Sequence, residues 1–436
     1  MTSLKARTKQ NNGRHSPTPS VKRVLQPTRS GQPVLISGGA GFIGANLAHR
    51  LLSAGQSVLL YDNLSRPGVE QNFQWLQKTH GDLVRLEIAD VRDARALRLA
   101  VRRASSVFHF AAQVAVTTSL SDPIQDFEVN ARGTLNVLEA LRARTTPPPL
   151  LFTSTNKVYG DLKDVDLRAN TTRYEPSDPD LREHGIGEPR PLDFHSPYGC
   201  SKGCACQYVL DYARSFRLPT VAFHMSCIYG LHQHGTEDQG WVAHFLLRAL
   251  ENSPITIYGD GRQVRDILFV DDLVNAFLLA HRHMRTLTGQ AFNIGGGPGN
   301  TISLLELIAL ITELQGHGPK VQFAKWRSAD QRYYVSDIRK FSIATGWSPQ
   351  VNVREGVSRL YEWLRDSRRE TGATVPDLTA AAVAGNGHQS HRASHLAAGA
   401  GRQIRLKSLS RARRMYQMNG VNGRHAAKKL VKALSR

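Results

Sequence analysis

The chain has 436 residues, of which 41% are hydrophobic and 21% charged, with four cysteines and a formal net charge of +20. That apolar content supports a sizeable core and excludes a wholly disordered chain, and the length suggests two or three domains. Four cysteines make no disulfide scaffold at this size, so the reducing cytoplasm is the expected compartment; no apolar run approaches the roughly 18 residues of a membrane span, and the polar, basic start lacks the apolar stretch of a secretory signal.

The charge is unevenly placed. Residues 1–30 carry seven Lys/Arg and no acid, whereas residues 371–436 carry twelve and a single acid, Asp377. The two ends hold +18 of the +20, and the segment 31–370 is close to neutral. The arm 1–30 and the tail 366–436 both read as disordered, apart from a weak helix signal near 424–434. Lys407 to Arg414 and Arg424 to Arg436 are basic enough to touch nucleic acid or an anionic membrane surface. Few aromatics interleave with those charges, so a solvated appendage is the simpler reading.

In chain order, Pro33-Val34-Leu35-Ile36-Ser37 reads as a short buried strand that runs straight into glycines and then a helical pattern over 42–53. Further strands are expected at Val58–Asp62, 83–88, 107–110 and 150–153, with helices near 93–103 and 127–143. This alternation predicts an α/β fold: a Rossmann-type doubly wound parallel sheet with a smaller C-terminal substrate-binding domain. The expected boundaries are 31–222 for the dinucleotide domain, with a return near 265–282, and 223–365 for the second domain.

The first strand leads into Gly38-Gly39-Ala40-Gly41-Phe42-Ile43-Gly44. Gly38, Gly41 and Gly44 let the backbone turn tightly and approach a pyrophosphate at a helix N-terminus, with Phe42 and Ile43 in that first turn. Asp62 ends the second strand 18 residues beyond Gly44, where a carboxylate binds adenosine ribose hydroxyls, followed by Asn63. This favours NAD, although Arg66 keeps NADP open. Asp90 and Val91 after the third strand fall near the adenine. Ala111, Ala112 and Gln113 after the fourth fall against the cofactor. Gln113 and Asn130 read as cofactor- or sugar-side hydrogen bonders.

Tyr198 and Lys202 form an i, i+4 pair on one helix face. A phenol has a pKa of about 10, but neighbouring positive charge favours the phenolate. The pair suits removal of a proton from a sugar hydroxyl. Thr155, in Thr153-Ser154-Thr155, is the hydroxyl partner, because ligands in such sheets bind beyond the strand C-termini. Cys200, Cys204 and Cys206 read as buried free thiols rather than a metal site, since no His pair completes a ligand set. No metal is expected.

Residues 33–365 resemble the extended short-chain dehydrogenase/reductases, the nucleotide-sugar epimerase/dehydratase family. The resemblance rests on 154–160 (STNKVYG), 193–203 (DFHSPYGCSKG), 235–241 (GTEDQGW), 259–266 (GDGRQVRD) and 329–332 (ADQR). It implies a bound NAD, a nucleotide-sugar substrate and a homo-oligomer, dimer or tetramer. It also assigns Arg265 and Arg327 to the diphosphate or ribose. In the family's 4,6-dehydratases an Asp-Glu pair follows the catalytic Thr; here those positions are Asn156 and Lys157, which argues against dehydration. Asn156 is left as a substrate contact. Asn156-Lys157 and the Asp-Gln-Gly-Trp stretch resemble the subgroup that inverts C2 of a CDP-activated dideoxyhexose, CDP-paratose to CDP-tyvelose, through a transient 2-keto sugar. The alternatives are a nucleotide-sugar 4-epimerase and a non-catalytic, NAD-sensing nucleic-acid-binding protein. Two departures stand out. His224 replaces a common arginine, and Cys204 and Cys206 replace an Ala and an Asp. His195 and His232 fall near the site by motif and are given no catalytic role.

Overall fold

The computed structural model describes residues 31–371 apart from residue 328. The basic arm 1–30 and nearly all of the tail, including the helix signal near 424–434, lie outside the described residues. The five expected strands form as β1 (Val34–Ser37), β2 (Val58–Asp62), β3 (Val84–Ile88), β4 (Ser106–His109) and β5 (Leu150–Thr155). With Thr220–Met225 and Gln290–Ile294 they make a seven-stranded sheet, every pair of which is parallel. From one edge the order is Gln290–Ile294, Thr220–Met225, β5, β4, β1, β2, β3.

Side chains alternate across the pleat, so each strand feeds two cores. Val34, Ile36, Leu60 and Phe108 pack on one side with α1 (Phe42–Ser53) and the helix Val270–Arg282. Leu35, Leu59, Tyr61 and Val107 pack on the other with Ala205, Cys206 and Val209 of the long helix Ser196–Phe216. Each fully buried Val, Leu, Ile or Phe contributes roughly 1.5–3 kcal/mol, which fixes that helix, and the residues it carries, against β5.

The second lobe is built around the strand Val264–Phe269, which pairs with Cys227–Tyr229, Thr301–Ser303 and Tyr333–Tyr334. The helices Trp241–Leu250 and Leu304–Gln315 cover it. The two lobes interleave more than the expected boundaries allow. The strand Val264–Phe269 belongs to the second lobe; the return to the large sheet runs through the helix Val270–Arg282 and the strand Gln290–Ile294. Inside 31–222, the hairpin Leu167–Ala169/Tyr174–Pro176 leans on the second lobe, where Arg173 holds Glu306. The last helix, Val353–Thr371, runs past residue 365, so the chain is still helical where the tail was expected to begin.

Two helical features also differ from expectation. The helix expected over 127–143 starts earlier, at Pro123–Phe127, passes through a π-helical turn at Glu128–Arg132 and continues as Gly133–Arg142. A helix at Val69–His80 was not anticipated, because Val69, Phe73 and Leu76 are separated by Gln, Asn and Trp and give only a faint stripe. No helix among the described residues is long and apolar enough to cross a membrane.

Candidate active site

A cleft of about 1010 Å³ opens beyond the C-terminal ends of the sheet strands and runs between the lobes. The turn from β1 into α1 forms its floor. Gly38 has φ +68°, and a Cβ there would stand 2.7 Å from the backbone nitrogen of Ala111. Gly44 faces Gly38 and Gly39 so closely that a Cβ would meet the Gly38 carbonyl oxygen. Gly44 therefore serves strand–helix packing and does not line the cleft, whereas Gly38, Gly41, Phe42 and Ile43 do. Asp62 also lines it, accepting from the backbone N–H of Ala40 (3.0 Å) and of Leu64 (2.9 Å). Burial raises the pKa of that carboxyl above the ordinary range. Asn63 donates to Asp90 (3.0 Å), which Arg92 grips with its guanidinium. Burial pushes the Asp90 pKa up, but these hydrogen bonds outweigh it and hold the carboxyl below the usual range. Val91, Ala111, Ala112 and Gln113 complete this wall. Arg66 lies in the same wall, where the charges of Asp62 and Tyr198 both act on it.

Thr155, Tyr198 and Lys202 meet across the cleft, brought together by the end of β5 and the first two turns of the helix Ser196–Phe216. Burial pushes the Tyr198 phenol up to about 12; its hydrogen bond with Thr155 and the charge of Arg66 pull it down, and Asp126 pushes it up. Lys202 is 3% exposed, and its ammonium lies over the Phe152 ring, 4.5 Å from the centroid. Burial brings its pKa down to about 8. The positive charges nearest in effect to the phenol thus include Arg66, which the sequence pattern Tyr-x-x-x-Lys does not reveal.

Gln113 and Asn130 have their polar atoms committed inside the protein. The Gln113 side chain donates to the carbonyl of Ala115 and to Asp126 (both 2.8 Å). Asn130 donates to Asp126 (3.1 Å) and Ser201 (3.0 Å) and accepts from the Gln113 backbone N–H (2.9 Å). Asn130 is fully buried and does not line the cleft. At the hub is Asp126, also fully buried, which additionally accepts from the Ser201 hydroxyl. Sequence reasoning missed Asp126; its only signal was the i, i+4 spacing to Asn130.

The far end of the cleft belongs to the second lobe. Arg265 donates to Asp330 (2.8 Å) and to the carbonyl of Gln331. Arg327 stacks on Tyr258 with its guanidinium carbon 3.9 Å from the ring centroid. Asn156 donates to the buried amide oxygen of Gln331 (3.0 Å), and Gln331 donates to the carbonyl of Gly160 (2.7 Å). Lys157 donates to the carbonyl of Ala329 (3.2 Å) and stands 3.8 Å from Asp330. Four buried polar atoms of cleft-lining residues lack a protein partner: Thr117 Oγ1, Gln233 Oε1, His234 Nε2 and Gln263 Oε1. A polar ligand satisfies such atoms.

The expected departures turn out to be neighbours. Cys206 Sγ lies 3.3 Å from His224 Nε2, and the Tyr159 hydroxyl is 3.2 Å from His224 Nδ1. The reading of three buried thiols needs correction, because Cys206 is buried but Cys204 is only half-buried and Cys200 is exposed. His232 stacks on Trp75, with ring centroids 3.6 Å apart, and does not line the cleft; His234 does. His195 pairs with Asp161 and Asp193. No cluster of metal-ligating residues occurs among the described residues.

The profile of the NAD dependent epimerase/dehydratase family matches residues 34–295. The chain belongs to this family. A CDP-paratose 2-epimerase from Salmonella typhi is 44% identical over 336 residues, 76% of this chain and 98% of that protein. A UDP-glucose 4-epimerase from Thermus thermophilus, solved in complex with NAD, superposes with a TM-score of 0.64 at 32% identity over 76% of this chain and 99% of that one. A UDP-glucose 4-epimerase from Thermotoga maritima, solved with UDP-glucose, gives 0.66 at 28% identity over 77% and 99%. As a member of this family the chain is an NAD-dependent nucleotide-sugar epimerase/dehydratase. The cradle at Gly38, too close for any side chain, and the Asp62 carboxylate in the cleft wall fit the dinucleotide.

Proposed function

We propose that this family member inverts C2 of CDP-paratose to give CDP-tyvelose. The observation that carries this reading is the pair that follows Thr155. Asn156 is locked onto Gln331, and Lys157 ends in an ammonium, so neither position offers the carboxyl groups that water loss from the sugar requires. The 44% identity to the Salmonella typhi 2-epimerase supports the choice of substrate.

Tyr198 takes the proton of the C2 hydroxyl and later returns it. Thr155 holds the same oxygen and favours the phenolate by hydrogen bonding to it. When bound, NAD supplies a hydride acceptor and donor and adds positive charge beside the phenol. Lys202 holds the cofactor side of the pair. Arg265 and Arg327 keep the diphosphate fixed while the 2-keto sugar turns over, so that hydride would return to its other face and Tyr198 would reprotonate the oxygen. Asp126, through Ser201 and Asn130, fixes the helix that presents Tyr198.

Proton NMR of CDP-paratose incubated with the enzyme tests the proposal. The expected result is a C2-inverted product with no net change in NAD, and Tyr198→Phe slows turnover by about 10²-fold or more, the usual worth of a positioned proton-transfer group. A nucleotide sugar whose C2 signals never change, or a Tyr198→Phe enzyme with full activity, contradicts it.

A further inference from the structure

We propose that Lys157 grips the glycosyl phosphate of the substrate and thereby sets which ring carbon faces Tyr198. The inference rests on the C2 reading above and adds a residue and a physical reason for it.

The geometry is as follows. The backbone N–H of Lys157 donates to the Thr155 hydroxyl (3.2 Å), so this residue begins beside the reacting oxygen. Its ammonium ends at Asp330 and the Ala329 carbonyl, next to Arg265, which shares Asp330. One lysine side chain thus spans the gap between the catalytic pair and the cations of the second lobe. Two cations share a single carboxylate there, which leaves positive charge for an anion in the cleft. The groups facing Lys157 are the charged Asp330, Arg265 and Asp161 and the Cys227 thiol, whose pKa burial raises. Burial, the largest influence, brings the lysine down to about 8, so its ammonium lacks full compensation where it stands.

The position of this cation bears on the chemistry of a hexose diphosphate. C2 is three bonds from the glycosyl phosphorus, and C4 is five. A phosphate held one lysine length from Thr155 brings C2 to Tyr198 and leaves C4 across the ring. During the turn of the keto sugar the phosphate stays on Lys157 and Arg265 as the pivot. The arrangement is charge-assisted, with donor hydrogens of an ammonium on phosphate oxygens.

The test compares CMP with CDP by calorimetry on the full-length enzyme, in the wild type, Lys157→Met and Lys157→Arg. CDP carries the extra phosphate that stands for the glycosyl phosphate. We expect Lys157→Met to weaken CDP by about tenfold, the worth of a charged hydrogen bond, and CMP by no more than about twofold. Lys157→Arg retains most of the CDP preference. In kinetics with CDP-paratose, wild-type kcat/KM falls as pH rises through about 8, where burial places both Lys157 and Lys202, so the limb has a part from each lysine. Lys157→Met makes this limb shallower, leaving the Lys202 part, and Lys157→Arg moves the Lys157 part upward. Equal losses for CMP and CDP, or a Lys157→Met enzyme with the wild-type limb and KM, overturn the inference. If the wild type leaves C2 unchanged, the assigned reaction fails separately, and the nucleotide comparison still decides the phosphate contact.

Discussion

His224 and Cys206 show how a buried pair can change chemistry together. Where the family resemblance leads one to expect an arginine and an aspartate, this chain places an imidazole 3.3 Å from a thiol. Burial lowers His224 to about 4 and raises Cys206 to about 12, so both are neutral across the working range. A neutral pair avoids the desolvation that a buried ion pair must overcome. Changing one partner alone breaks this match. Cys206→Asp sets a buried carboxylate against a neutral imidazole, with only the charge of Lys202 to offset it, and is expected to destabilise by about 1–3 kcal/mol. Adding His224→Arg recovers most of the loss, as read from urea midpoints in a double-mutant cycle. The pH dependence has a definite sign. His224 binds its proton less readily folded than unfolded, so its contribution to stability falls as pH drops from about 6.5 toward about 4. A His224→Phe protein loses that part of the acid sensitivity.

The π-helical turn at Glu128–Arg132 decides what the element before α-helix Gly133–Arg142 can do. A single wide turn places Asn130 under the catalytic helix, where it reaches Gln113, Asp126 and Ser201 at once. Asn130→Ala takes one hydrogen bond each from Asp126 and Ser201 and strips the Gln113 backbone N–H and carbonyl of their Asn130 partner, at about 1–3 kcal/mol of stability. It is expected to lower kcat more than it raises KM for the nucleotide sugar, because the displaced group is the helix carrying Tyr198 rather than the diphosphate site. A steady-state analysis that finds only KM changed rules this role out. Such turns are hard to see in advance. Val34–Ser37, the glycines and Asp62 were legible because strand, turn and acid follow one another within a short stretch and each has a local physical cause. The helix Val69–His80 was not, since tertiary packing of Val69 and Leu76 sustains it against a weak stripe. Asp126 was illegible for a related reason: its partners Gln113, Asn130 and Ser201 converge only through the fold.

At the scale of the molecule, the cleft is built from both lobes. Thr155 ends a strand of the large sheet and Tyr198 and Lys202 lie on the helix packed against it, whereas Arg265, Arg327 and Asp330 come from the second lobe. The segment carrying Arg327, Asp330 and Gln331 ties them, since Asn156 and Arg265 both hydrogen-bond Gln331. Motifs identified these residues singly, but the interleaving of the lobes through Val270–Arg282 and Gln290–Ile294 could not be read from local pattern. Among the described residues the cleft is lined by residues 38–330, and the family match stops at residue 295, whereas the two ends hold most of the +20 charge. Removing residues 372–436 is therefore expected to leave kcat and KM for the nucleotide sugar within about twofold, inside the range of surface changes remote from a site. Any affinity for DNA or RNA has the opposite dependence. Phosphate contacts by Lys and Arg make it steeply sensitive to salt, and it should vanish with the tail. Filter binding at two salt concentrations, run on the intact and shortened chains alongside the NMR assay, separates the two functions. A shortened chain that loses turnover while keeping nucleic-acid affinity would place catalysis in the tail, against every contact that the cleft displays.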